Sequence, residues 1–77
     1  MVAAMITLNC FATLAHYAPP GNEFPFTPGM TVGSLVTALK IPEGEVQTVF
    51  VNGLVTDFSR VLTDGDRVGI FPAIAGG

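Results

Sequence analysis

Seventy-seven residues, 49% of them hydrophobic and 12% charged, suffice for one small domain with a thin core. The net charge is −3 and the only basic side chains, Lys40, Arg60 and Arg67, are scattered, which excludes a nucleic-acid binder built on clustered cations. The single cysteine, Cys10, excludes an internal disulfide, and with one histidine there is no Cys/His set for a metal.

A domain with neither staple fits a reducing compartment, so a cytoplasmic location is expected. The first residues, "MVAAMITLNCFATLA", are apolar but lack the basic start of a signal peptide. No run reaches the ~18 apolar residues of a membrane helix. A charged fraction this low implies either a rich core or apolar side chains left outside for a partner.

"MITLNCFA" alternates: Ile6, Leu8, Cys10 and Ala12 share one face, and Met5, Thr7, Asn9 and Phe11 the other. This predicts a strand over residues 5–12. "HYAPPGN" reads as a loop, followed by a short strand over 23–27. Pro25 and Pro28 confine that strand to an edge, where the two strands form a long-looped hairpin. Thr31 is a fair N-cap, and Val32, Leu35, Val36 and Leu39 repeat at helical spacing. Gly33 weakens this helix, Lys40 suits its negative end and Pro42 stops it. "VQTVFVNGLV" predicts a hairpin turning at Asn52-Gly53. A turn over 58–61, a tight turn at Asp64-Gly65 and a last strand over 67–71 complete the chain. The order strand, strand, helix, strand, short strand, strand predicts a mixed sheet with one helix across one face. It becomes a β-grasp if the first and last strands lie side by side.

Parity assigns the faces. In the last strand Arg67 belongs in water, which places Phe71 on the solvated side with Gly69. In the first strand Thr7 and Asn9 mark the polar side, and Phe11 goes with them. In the third strand either Val49 and Val51 point inward and Phe50 outward, or the reverse. Val55 borders the same outer face. Phe11 and Phe71, with Phe50 and Val55 as further candidates, therefore predict an aromatic patch away from the helix, of the kind interfaces use as anchors. The competing reading is a bulge that turns one Phe back into the core.

No catalytic constellation emerges. His16 lies in a Pro-rich loop without a nucleophile or orienting partner. Cys10 falls on the apolar parity and reads as a small core residue. Glu43 and Glu45 are two carboxylates without a third ligand. Asp64-Gly65-Asp66 lacks the alternating oxygens and distal Glu of a calcium loop, so it reads as a turn. Metal ligands are therefore expected to be none. Pro72 is expected to end the sheet and stiffen the exit. Beyond it Ala73, Ile74, Ala75, Gly76 and Gly77 carry no charge, and the two glycines have no Cβ. Two readings stay open here: a frayed terminus, or a slender chain that threads a narrow slot and presents its carboxylate.

The stretches "VNGLV" and "VLTDGDRVGIFPAIAGG", with "FATLA" and "GMTVGSLVTAL", resemble the ubiquitin-like sulfur carriers of the MoaD/ThiS family, on the MoaD side. The resemblance spans about Ile6 to Gly77. It implies an α+β, β-grasp fold: a mixed sheet of about five strands with one main helix packed across one face. Residues 1–72 form that domain and 73–77 a flexible Gly-Gly tail. It implies a carrier, not an enzyme, that binds no cofactor itself. A MoeB/ThiF-like adenylating enzyme spends ATP with Mg to activate the carboxylate of Gly77. A cysteine desulfurase or rhodanese-type donor then supplies sulfur as a C-terminal thiocarboxylate. In the MoaD branch the tail enters a MoaE-like large synthase subunit, where the sulfur builds molybdopterin. Partners are proteins, with neither nucleic acid nor membrane. The family's contact surface maps onto Phe11, Val55 and Phe71, with Phe50 and Pro72 beside it. Related carriers serve thiamin, tRNA thiolation, cysteine synthesis or tungsten cofactor, and some are modifiers joined to lysines. The chain departs at Ala15, where MoaD proteins often carry a basic residue, and at Ala73, where a second Pro is common. A passive interaction module with an inert tail is the alternative of a different class.

Overall fold

In the computed structural model, which describes residues 4–73, the alternating segments become five strands in one sheet. They are β1 (Met5–Cys10), β2 (Glu23–Pro25), β3 (Val46–Val51), β4 (Leu54–Thr56) and β5 (Arg67–Pro72), with one α-helix, α1 (Val32–Ala38). The sheet order is β2-β1-β5-β3-β4. β1 and β5 run parallel in the middle, Leu8 opposite Val68, and every other pairing is antiparallel. This central adjacency is the one the β-grasp requires, and the fold is that fold. The short strands β2 and β4 form the edges, as Pro25 demanded of β2.

One face of the central strands is apolar because inward positions alternate with outward ones. Ile6 and Leu8, Val49 and Val51, and Val68 and Ile70 are buried against Val32, Leu35 and Val36 of α1. Full burial of such side chains is worth about 1.5–3 kcal/mol each, which is how so short a chain holds together. Phe24, Phe26 and Phe58 pack against this core from its rim, and Cys10 joins them.

The helix begins at a capping box: the Thr31 hydroxyl accepts from Ser34 N–H at 3.1 Å, and the Ser34 hydroxyl accepts from Thr31 N–H at 2.9 Å. Val32 N–H and Gly33 N–H donate to the Arg60 and Phe58 carbonyls, both at 2.9 Å. Gly33, expected as a weakness, is instead a close approach. A Cβ there would lie 3.2 Å from the Phe58 carbonyl oxygen.

The other end holds a correction. Sequence spacing ran the helix to the residues before Pro42, but α1 stops at Ala38 in a Schellman motif. Lys40 N–H donates to Thr37 O at 3.0 Å and Ile41 N–H to Val36 O at 3.1 Å, with Ile41 buried. Lys40 consequently sits at φ 64, the left-handed region that glycine fills without steric cost. Lys40→Gly is expected to raise stability by about 1 kcal/mol, or about 4–8 °C in melting temperature. An unchanged or lower melt would contradict this account of the cap.

β1 ends at Cys10, two residues earlier than alternation implied. Phe11 N–H still donates to Ile70 O at 3.0 Å, but Ala12 turns to φ 52 and the chain enters a 3-10 helix over Ala12–Tyr17. That helix inserts Leu14 into the core with no exposed surface. β2 likewise stops at Pro25, not residue 27, because Thr27–Met30 forms a turn with Gly29 at φ 87.

Pro72 was expected to end the sheet, yet β5 runs through it, opposite Val46. The reason lies in the partner strand. The β3–β5 register shifts between Val46 and Thr48, and a bulge is where a strand tolerates a proline. Ala73, counted with the tail from sequence, still donates its N–H to Glu45 O at 2.9 Å.

The Asp64-Gly65-Asp66 segment is a turn, with Gly65 at φ 87. Asp66 is buried, accepting from Thr63 N–H at 2.8 Å, the Asn52 amide at 2.9 Å and the Thr63 hydroxyl at 2.9 Å. Asn52 Oδ1 accepts in turn from Arg67 N–H at 2.9 Å, so one carboxylate locks both tight turns onto β5. Burial pushes the Asp66 carboxyl up, but these hydrogen bonds, helped by the Arg60 charge, outweigh it and hold the group below its ordinary range. A depressed folded pKa stabilises the fold above the unfolded pKa, and that gain is lost as pH falls through the folded value. Asp66→Asn is expected to cost about 1–3 kcal/mol at neutral pH by urea melts. The gap to the parent should begin to narrow below about pH 4, where the unfolded chain's carboxyl protonates, and close as pH falls through the lower folded value. A gap independent of pH would overturn the assignment.

Candidate functional site

The outer face of the sheet gathers what parity predicted. Phe11 leaves the end of β1, Phe71 stands on β5 and Phe50 on β3. Burial of Val49 and Val51 settles the ambiguous strand, so Phe50 faces outward. Val55, opposite Phe50 on β4, extends the same face and is 68% exposed.

The rings form one unit. Phe11 and Phe71 stack with centroids 4.3 Å apart and planes 9° from parallel, and Phe50 meets the edge of Phe71 at 5.4 Å and 71°. Such pairs contribute about 0.5–1.5 kcal/mol beyond their burial, so the face is held in one shape. Phe11 is aimed by the 3-10 helix that begins beside it: its carbonyl accepts from Leu14 N–H at 3.0 Å, and buried Leu14 anchors that helix.

A shallow depression of about 280 Å³ lies beside the rings, bounded by Phe11, Phe50 and Phe71, with Gly69 and Val68 beneath and Asn9, Gly53 and Arg67 around it. A second, of about 510 Å³, shares Phe50 and Phe71 and runs to Ala12, Gln47, Thr48 and Pro72. The aromatic face and the base of the tail are therefore one continuous surface. Pro72 itself is buried. Ile74, Ala75, Gly76 and Gly77, named from sequence as the reactive tail, lie outside the described residues.

The other candidates stay apart from this face or lack chemistry. Burial pushes the Cys10 thiol up, away from a thiolate at neutral pH. His16 is exposed and rests against Tyr17, ring centroids 4.1 Å apart. Among the described residues no group of three His, Cys, Asp or Glu side chains could hold a metal ion. No helix there is long and apolar enough to cross a membrane. Among the described residues the face is lined by aromatic and apolar side chains, with Asn9 and Arg67 at its edge.

Sequence reasoning placed Gly69 on the outer face without giving it a role. In the structure it is the floor under both stacked rings. A Cβ there would lie 3.3 Å from Phe11 Cε2 and 3.7 Å from Phe71 Cε1.

The ThiS family model matches residues 8–77. Among solved structures, a Pyrococcus furiosus protein assigned as molybdopterin converting factor, subunit 1, shares 26% identity at a TM-score of 0.71, over 94% of this chain and 100% of its own. The Haloferax volcanii HVO 2177 protein shares 28% identity at a TM-score of 0.70, over 97% of this chain and 88% of its own. The small archaeal modifier protein 1 of H. volcanii has the same fold, at 21% identity and a TM-score of 0.70, over 92% of this chain and 99% of its own. Among curated proteins none matches.

Proposed function

This chain belongs to the ThiS family of small ubiquitin-like carriers and modifiers, and from that premise we propose that it is a cytoplasmic sulfur carrier whose C-terminal Gly77 is loaded as a thiocarboxylate for molybdopterin synthesis. The observation that carries this reading is the continuity of surface from the aromatic face to Pro72, the end of β5 from which the chain leads to Gly77. Proteins of this family generally work with adenylating enzymes and synthase subunits, and an exposed aromatic patch beside the chain end suits that kind of partner. The similarity to a molybdopterin converting factor subunit favours the molybdenum branch over thiamin, tRNA thiolation or cysteine synthesis.

The chemistry proceeds at one carboxylate. An adenylating enzyme of the MoeB/ThiF kind joins Gly77 to AMP from ATP, with Mg and loss of pyrophosphate. The terminal sulfur of a donor persulfide displaces AMP and leaves an acyl disulfide. A thiol cleaves it, and its oxidation to a disulfide releases the thiocarboxylate on Gly77. A MoaE-like large subunit then receives the tail and the sulfur. The domain contributes position: Phe11, Phe50, Val55 and Phe71 dock, Pro72 aims the exit, and the uncharged tail of Ala73, Ile74, Ala75, Gly76 and Gly77 enters the slot.

Intact mass measured after coexpression with the host's adenylating enzyme and a sulfur donor tests this. One oxygen at Gly77 should be replaced by sulfur. Absence of that mass with every adenylating enzyme of the host would sink the reading. A ladder of lysine conjugates in the lysate would identify a modifier instead.

A further inference from the structure

We infer that Gly69 is a positioning residue for docking: by having no side chain, it sets the shape of the aromatic face. This rests on the reading of that face as a docking surface. Gly69 sits in the interior of β5, opposite Asn9 on one side and Phe50 on the other. Its φ lies outside the left-handed region, so no turn or kink demands a glycine there. A glycine in a strand interior weakens the strand and packs nothing. What the position supplies is space.

The ring of Phe11, just past the end of β1, and that of Phe71 on β5 lie over it together. A Cβ at Gly69 would stand 3.3 Å from Phe11 Cε2. The 4.3 Å stack thus lies where a side chain at Gly69 would press on Phe11. The depression beside the rings has the same origin, since Gly69 is part of its floor. An alanine asks the rings to yield by a few tenths of an ångström. A valine places two further methyl groups where the rings lie, lifts Phe11 and fills the depression. Neither change alters the tail sequence, since Gly69 precedes Phe71 and Pro72 on β5.

The experiment is steady-state ATP–pyrophosphate exchange by the host's adenylating enzyme, with the full-length chain as the varied substrate. For Gly69→Val, KM should rise roughly tenfold while kcat stays at the parent value. Melting temperature should hold or rise, because a β-branched residue favours a strand. A merely structural glycine would instead lower the melt when replaced and leave KM unchanged for the folded fraction. Should Gly69→Val not fold, Gly69→Ala carries the test, with KM raised about twofold to threefold. In the Phe11→Ala background, Gly69→Val should add little, since the ring it displaces is gone. Parent-like KM in both Gly69 variants, with KM raised in Phe71→Ala, overturns the role of Gly69 and leaves the docking face standing. Parent-like KM in Phe71→Ala as well removes the docking face, and the inference falls with it.

Discussion

Removing Gly76 and Gly77 is expected to reduce sulfur loading to background while the melting temperature stays at the parent value. Truncation does not abolish the C-terminal carboxylate; it moves it to Ala75. On an extended chain two residues span about 7 Å. A displacement of about 1 Å in a reacting group costs on the order of a hundredfold in rate, so a carboxylate withdrawn by the length of two residues falls outside the partner's reach. Ala75 also brings a Cβ to where the parent carries a hydrogen, in a slot that the two terminal glycines suit by their slenderness. The domain itself should not register the change, because its core runs from Ile6 to Ile70 and its last described hydrogen bond to the sheet is that of Ala73. Intact mass after coexpression and a thermal melt decide the matter. Loading of the truncated chain at the parent level would mean that Gly77 is not the reacting residue. A passive module would differ in the other direction, with partner binding and phenotype surviving the truncation.

The parts of this fold that sequence reveals are those where a local period meets a single demand. Ile6 and Leu8 alternate with Thr7 and Asn9 because one face of β1 is buried and the other is not. The same holds for Val68 and Ile70 against Arg67 and Gly69. From these two strands alone Phe11 and Phe71 could be put on the outer face, and the stack lies there. "VFV" in β3 offers no such answer, since either phase buries an apolar residue; only the neighbouring strands decide it. The end of α1 is hidden for a similar reason. Lys40 adopts φ 64 to let Ile41 reach the core, a tertiary gain that no propensity for lysine foretells. Pro72 in β5 depends on a bulge in a strand more than twenty residues away in sequence. Gly69 is the extreme case: its meaning lies in two rings, one of which arrives from the end of another strand.

These misses share a consequence for the site. The low charged fraction had two readings, a rich core or an exposed apolar face, and the phenylalanines divide between core and face. Phe24, Phe26 and Phe58 pack on the core, whereas Phe11, Phe50 and Phe71 do not. Half of the phenylalanines are thus placed outside the core, on a surface that gains nothing from water. In a domain short of core this is a cost to stability, and a partner's surface is what would recover it.

Leu14→Ala is expected to be the most destabilising single change outside the regular elements, and to weaken docking as well. Periodicity assigns Leu14 no place, because a 3-10 helix shows neither the helical nor the strand period. Yet it has no exposed surface, and it is the only buried side chain of the 3-10 helix over Ala12–Tyr17. Leucine-to-alanine changes in a core cost about 2–5 kcal/mol, through lost transfer energy and the cavity left behind. At about 4–8 °C per kcal/mol for a domain of this size, the melt should fall by roughly 10 °C or more. The effect does not stop at stability. Leu14 N–H holds the Phe11 carbonyl, and Ala12 at φ 52 is the hinge between them. Without the anchor the segment is free to swing, and Phe11 loses its fixed place on Phe71. The folded fraction of Leu14→Ala, assayed well below its melt, should therefore show a raised KM for the adenylating enzyme at unchanged kcat. Phe11→Ala should show the same KM change with a much smaller loss of stability, since Phe11 is 40% exposed. A Leu14→Ala protein that melts within about 2 °C of the parent would mean that the segment is not anchored by Leu14. One that melts low but keeps the parent KM would mean that Phe11 is held by the stack alone.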